Sequence, residues 1–206
     1  AEDVGAPLYR LKAHFIDAMP EDLGLLGEHQ RANAALAAMA VQLFGNSTII
    51  DQNAIFEGAR NVVWPARMQR LKDGPLTALA PNQEIWLDGG HNPHAARAIA
   101  RQLNNMPGRT ALVAAMLASK DATGYFMPFR QVRPEVFTLP NAPGHQGAEP
   151  QALAEVATNA GLKAAAYDSL EAALKAAATT GVDRILICGS LYLAGEVLAQ
   201  NGEPPA

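Results

Sequence analysis

The chain has 206 residues, a mass of 21.8 kDa and a formal net charge of −4. That length can bury roughly 70% of the unfolded surface in one domain, or in one domain plus a piece of another. The 49% apolar and 17% charged content reads as globular, and a pI near 5.7 offers no basic excess for nucleic acid or an anionic membrane. One cysteine, Cys188, excludes an internal disulfide and a multi-cysteine metal site and fits a reducing compartment.

No run of 18 apolar residues exists to span a membrane. Ala1-Glu2-Asp3 opens neither a basic nor an apolar leader, so a cytoplasmic location is expected. The first residue is not Met, which reads as a fragment.

In chain order, Pro7–Phe15 is expected as a strand. An Ala-rich helix follows over about Glu28–Leu43 and stops at Gly45-Asn46-Ser47. Thr48–Gly58 reads as a second helix, and Ala59–Arg67 as a connector through Trp64-Pro65. A regular alternation then begins. Strands are expected at Glu84–Asp88, Thr110–Met116, Glu135–Leu139, Lys163–Tyr167 and Arg184–Cys188. Helices are expected at Pro93–Asn104 (Asn92 as N-cap), Asp121–Gln131, Glu149–Ala160, Ser169–Ala178 and Leu191–Gln200, with a frayed tail over Asn201–Ala206. Strands alternating with helices of this length predict an α/β fold: a Rossmann-like, mostly parallel sheet with flanking helices.

Ligands of such sheets gather at the carboxyl ends of the strands. Three polar loops fall there: Asp88-Gly89-Gly90-His91-Asn92-Pro93, Leu117–Asp121 and Gly189-Ser190. Asp88, at a strand end before two glycines, has the chemistry to accept from ribose hydroxyls, or else caps the turn. Asn33 shares a helix face with His29 and carries both a donor and an acceptor, as an adenine edge requires, although a polar helix start explains the pair equally well. Arg67, after Trp64-Pro65-Ala66, offers a planar fork for phosphate, or is a surface arginine beside a stiff linker. Lys120 and Ser190 read locally as a solvated turn and a helix cap. No Walker A, GxSxG or HExxH sequence occurs.

Taken together and in order, Leu26–Ala34 (LGEHQRANA), Trp64–Gln69 (WPARMQ), Leu87–Pro93 (LDGGHNP), Met116–Asp121 and Gly189–Glu196 (GSLYLAGE) resemble folylpolyglutamate synthase/dihydrofolate synthase, the folate branch of the Mur ligase superfamily. The resemblance covers about Leu23–Leu198. It implies residues 1–62 as the end of a central ATPase domain with its linker, and 63–206 as a C-terminal domain that brings in glutamate. It implies an ATP-dependent ligase of folate biosynthesis and one-carbon metabolism that joins L-glutamate to dihydropteroate or folates through an acyl phosphate. The enzyme would be monomeric, with P-loop and Mg2+ ligands in a part this chain lacks. By the same resemblance Asn33 contacts adenine, Arg67 the ATP phosphates and Asp88 the ribose. His91 and Ser190 lie near the incoming glutamate, and Arg67, His91 and Lys120 are the catalytic candidates. Ala66 stands where the family usually has Gly, Gly90 where it has Ala, and Gly144-His145 where an arginine often follows Pro143. The alternatives are a muramyl peptide ligase and a catalytically silent Rossmann-like nucleotide-binding module.

Overall fold

The computed structural model describes residues 4–44 and 50–204. The chain forms two compact units, Ala1–Trp64 and Pro65–Ala206.

The first unit is helical. It holds α1 (Ala13–Asp17), α2 (Glu28–Phe44) and α3 (Gln52–Asn61). The expected strand over Pro7–Phe15 is not formed: residues 7–12 are irregular, and Ala13–Phe15 open α1. A lone extended segment has no ladder to satisfy its backbone. Arg31 Nη2 donates to the carbonyls of Asp17 (3.1 Å) and Met19 (3.0 Å), which ties the end of α1 to α2. Helix α2 starts where the sequence places it, and Asp51 caps α3 by accepting from the Asn53 N–H. The expected helix stop at Gly45-Asn46-Ser47, and Thr48 at the start of the second helix, lie outside the described residues. Along α2 only Gln30 and Ala35 are buried, and Leu36, Val41, Leu43 and Phe44 are exposed.

The second unit is a six-stranded α/β sheet. Its strands are β1 (Gln69–Arg70), β2 (Glu84–Asp88), β3 (Thr110–Ala114), β4 (Glu135–Thr138), β5 (Ala164–Ala166) and β6 (Arg184–Cys188). They lie in the order β1-β2-β6-β3-β4-β5, and only β1 runs antiparallel to its neighbour. Apolar runs suit strands covered on both faces. Period-2 alternation sends Ile85, Leu87, Ala111, Val113, Ile185 and Ile187 to one face, against α7 (Leu170–Ala178) and α8 (Leu191–Gln200). Leu112, Ala114, Leu186 and Cys188 face the other side, against α4 (Pro93–Asn105), α5 (Ala122–Phe126) and α6 (Pro150–Asn159).

Two expectations need correction here. The helix over Asp121–Gln131 is α5 followed by a 3-10 turn at Met127–Gln131, because Pro128 has no N–H to continue the α ladder. The described part of the tail, residues 201–204, is not frayed. The Asn201 side chain is buried; it accepts from the Leu76 N–H (3.1 Å) and donates to the Lys72 carbonyl (3.0 Å), while Glu203 Oε1 accepts from the Lys72 N–H (2.9 Å). β1 and the 3-10 turn at Thr77–Leu79 have no counterpart in the sequence reading.

Candidate functional site

Because β2, β6, β3 and β4 are parallel neighbours, their carboxyl ends share one edge of the sheet. Arg67, His91, Lys120 and Ser190 lie on loops at or beside that edge, and Asp88 is the last residue of β2.

Asp88 ends β2 and is 6% exposed. Its Oδ1 accepts from the Gly90 N–H at 2.7 Å, and its Oδ2 accepts from the Met68 N–H at 2.9 Å. One carboxylate thus holds its own turn and also the segment twenty residues earlier that carries Arg67. The Gly89 N–H adds a bond to the Ala66 carbonyl (2.9 Å). At Gly90 an added Cβ would stand 2.9 Å from Ala95 Cβ, Ile99 Cδ1 and Asp88 Oδ1, so the methyl of the family's usual alanine has no room here.

The Arg67 segment is strained. Ala66 and Met68 have φ of 55° and 43°, in the left-handed region that favours glycine. Such residues cost on the order of 1–3 kcal/mol each and persist where neighbours over-determine them. Here the neighbours are Asp88, which holds the Met68 N–H, and Gln69, whose Oε1 accepts from the Ala66 N–H at 2.9 Å. Arg67 Nη1 donates to the Ala66 carbonyl (3.1 Å), which fixes the guanidinium and leaves its other donors for an anion.

His91 Nδ1 lies 3.0 Å from the Gly89 carbonyl. A carbonyl can only accept, so Nδ1–H is the donor in this contact. Asn92 caps α4 by accepting from the Ala95 N–H (2.9 Å), and Ser190 caps α8 by accepting from the Leu193 N–H (3.3 Å). Ser190 is buried, and its hydroxyl proton is still available to donate. Gly189, with φ 95°, passes so close to the Ala115 carbonyl that only glycine fits, and its N–H donates to the Gly90 carbonyl (3.1 Å). Lys120 is half-buried in the loop after β3, and its ammonium has no ion pair or hydrogen bond among the described residues.

Beneath the edge, the Tyr125 hydroxyl and the Cys188 thiol are fully buried neighbours of Asp88. Burial first, then the Asp88 charge, holds the Cys188 thiol up at about 12, although the Tyr125 hydroxyl pulls the other way. Tyr125 is raised well above its ordinary value, first by burial and then by Cys188.

Asn33 belongs to the first unit. Its Nδ2 donates to the buried Gln30 Oε1 (3.0 Å), and both line a largely apolar cavity of about 450 Å³ between α2 and α3. No group of three His, Cys, Asp or Glu side chains suited to a metal occurs among the described residues, and none of their helices is long and apolar enough to cross a membrane. Gln69 and Met68 were not singled out from the sequence. The part of Met68 depends on a hydrogen bond across twenty residues, which leaves no local trace, whereas Gln69 reaches only three residues back to the Ala66 N–H.

Comparison with known proteins adds three findings. Residues 66–191 match the family of the Mur ligase, glutamate ligase domain. Folylpolyglutamate synthase from Lacticaseibacillus casei is 30% identical over 181 residues, covering 85% of this chain and 39% of that protein. The chain spans about two fifths of the length of the curated relatives it matches. The crystal structure of Mycobacterium tuberculosis folylpolyglutamate synthase complexed with ADP and AMPPCP superposes with a TM-score of 0.77 at 26% identity, covering 89% of this chain and 42% of that one.

Proposed function

The chain belongs to the Mur ligase family through its glutamate ligase domain, and from that premise we propose that it is the C-terminal part of a cytoplasmic, monomeric, ATP-dependent ligase joining L-glutamate to dihydropteroate or a folate. The observation that supports this reading is the placement of Arg67, His91 and Ser190 on loops at one carboxyl edge of the parallel sheet, with one Arg67 donor already held by the Ala66 carbonyl. The relatives support it in kind: they are named folylpolyglutamate synthase and dihydrofolate synthase/folylpolyglutamate synthase.

In this mechanism a substrate carboxylate is activated by ATP as an acyl phosphate, the glutamate amine attacks, and phosphate leaves. Arg67 places its fork against the transferring phosphoryl group, where charge builds up. Lys120 adds a second cation at the rim. His91 Nε2 accepts a proton from the incoming ammonium, and the Ser190 hydroxyl donates to a glutamate carboxylate. Asp88 serves first to hold the Arg67 loop against the Gly89-Gly90 turn, because both its oxygens already accept from backbone. Ribose hydroxyls reach only its remaining lone pairs. Asn33, beside the apolar cavity of the first unit, offers the paired donor and acceptor that an adenine edge needs. Mg2+ ligands are assigned to a part of the protein outside this chain, together with the surface that covers the apolar face of α2.

Glutamate transfer by the full-length protein, assayed with ATP, Mg2+ and either dihydropteroate or tetrahydrofolate, tests the reading. Product with one or both acceptors is expected, and Arg67→Lys should lower kcat/KM on the order of 10–100-fold, about 1.4–2.7 kcal/mol. The 206-residue chain alone should not ligate. Failure of the full-length protein on both acceptors would sink the proposal. Unchanged kinetics in the Arg67→Lys variant would remove Arg67 from it.

A further inference from the structure

The loop after β4, residues 140–148, crosses the carboxyl edge of the sheet. The strand order puts β3 between β4 and β6. The loop is zipped to the segment that follows β3: Leu117 and Gly147 form an antiparallel bridge, the Ala118 N–H donates to the Gln146 carbonyl (3.1 Å), and the Ala148 N–H donates to the Met116 carbonyl (2.9 Å). Its tip reaches on to the first turn of α8, beyond β6, where the His145 ring lies on the Tyr192 ring with centroids 3.4 Å apart and planes 18° from parallel. A loop that leaves β4, pairs past β3 and ends on α8 is a strap across three strand ends. Its fastenings flank the candidate site: Leu117 is three residues before Lys120, and Tyr192 is two after Ser190.

The strap is held lightly and carries a cost. Both rings of the stack are exposed, Tyr192 by 45%, so little area leaves water there. At the tip, Gly144 has φ 80° with open space around it, and the His145 N–H closes the turn on the Ala142 carbonyl at 3.3 Å. Gly147 lies so close to Asn141 that an added Cβ would stand 2.8 Å from the Asn141 Cβ. The Asn141 side chain is shut in: its Nδ2 and Oδ1 are both buried, and neither has a hydrogen-bond partner. No other described side chain has two such atoms. An amide buried unpaired loses its bonds to water and regains them on exposure, whereas the two backbone bonds of the ribbon are replaced by water at small net loss. Closed and open arrangements are therefore near balance. We propose that residues 140–148 are a two-state strap, latched by the ribbon and the His145–Tyr192 stack and driven towards opening by the unpaired Asn141 amide, and that its opening admits the incoming amino acid to the edge. The opening stands on these contacts, and what it admits rests on the ligase reading.

Native-state amide exchange of the 206-residue chain is the test. The Ala118 and Ala148 amides read the strap, and Leu112 and Val113 in β3 read global unfolding. The strap amides should exchange about a hundredfold faster than the β3 pair, or more. Asn141→Leu keeps the branched shape without the polar atoms and should slow the strap amides about tenfold. Tyr192→Leu weakens the latch and Gly144→Ala strains the left-handed tip, so each should speed them several-fold while the β3 amides hold their rate. Should Asn141→Leu disturb the β3 amides, Asn141→Ala adds no bulk and gives the same reading. Strap amides exchanging at the β3 rate would overturn the two-state strap. Unchanged or faster exchange on removing the Asn141 amide would show that it is paired in solution and is no spring. Unchanged exchange in both Tyr192→Leu and Gly144→Ala would overturn the latch. In the full-length protein, Gly144→Ala should raise KM for glutamate several-fold and leave KM for ATP as it was; an unchanged KM for glutamate would overturn the admitting role. A full-length protein that ligates nothing would fail the ligase reading and leave the exchange result standing.

Discussion

Substituting Asn for Asp88 changes little in volume and much in hydrogen bonding. The carboxylate accepts from Gly90 at 2.7 Å and from Met68 at 2.9 Å. Asparagine has one oxygen, so it can keep one of these bonds, and its amide N–H then faces the other backbone N–H. A bond to a charged acceptor contributes about 1.5–3 kcal/mol, and a buried donor left unsatisfied costs about 1–3 kcal/mol more. Losing one bond and weakening the other should destabilise the second unit by about 3–4 kcal/mol, a drop in Tm of about 10 °C. The loss should be local in origin, with the Met68 amide losing its protection from hydrogen exchange, because that bond also restrains a residue at φ 43°. Urea unfolding and amide exchange of the 206-residue chain measure both effects. A stability change under about 1 kcal/mol, or a Met68 amide exchanging as slowly as before, would refute the clamp, since surface substitutions commonly fall within that range. In the full-length protein, 2′,3′-dideoxy-ATP separates the ribose contact from the clamp: the Asn variant should hardly distinguish it from ATP if Asp88 also meets the ribose.

Other outcomes follow from the same geometry. Gly189→Ala should cost about 3 kcal/mol in urea unfolding, through left-handed strain and overlap with the Ala115 carbonyl. Asn201→Ala removes a side chain that joins Lys72, Leu76 and Glu203, and should lower stability by about 2–4 kcal/mol while leaving nucleotide affinity of the full-length protein unchanged. The Cys188 thiol, held up at about 12 in the fold, should resist alkylation in the native chain. Its unfolded counterpart ionises near about 8.5, so its contribution to stability is fully present below that pH and is lost as pH rises through about 12. Urea midpoints measured across that range should fall, and Cys188→Ala should flatten part of the fall, with the remainder belonging to Tyr125.

The strands were legible because their residues are buried on both faces and read as short apolar runs. EIWLD, TALVA and RILIC needed no context. Helix starts were legible where a cap announces them, as Asn92, Ser169 and Ser190 do. β1 is two residues long and exists only through its pairing with β2, so no periodicity could reveal it. Pro7–Phe15 failed for the opposite reason: its composition suits a strand, but no neighbouring strand offers it a ladder. At the site, residue types and order pointed to Arg67, Asp88, His91 and Ser190. What Asp88 holds was hidden, because its partner at Met68 comes close only after β1 has paired.

The sheet order carries a consequence for synthesis. β6 lies between β2 and β3 and pairs with both, in parallel, over its whole length. Those two strands have no pairing with each other. A nascent chain that has reached Asp183 therefore holds two separate pieces, β1-β2 and β3-β4-β5, each with an open apolar edge where the sixth strand belongs. The edge that carries Asp88, His91 and Ser190 cannot close until Arg184–Cys188 have emerged and threaded between them. Closure of the sheet therefore waits for its last strand, and a chain that ends after β5 but before β6 leaves two unpaired strand edges of the kind that promote aggregation.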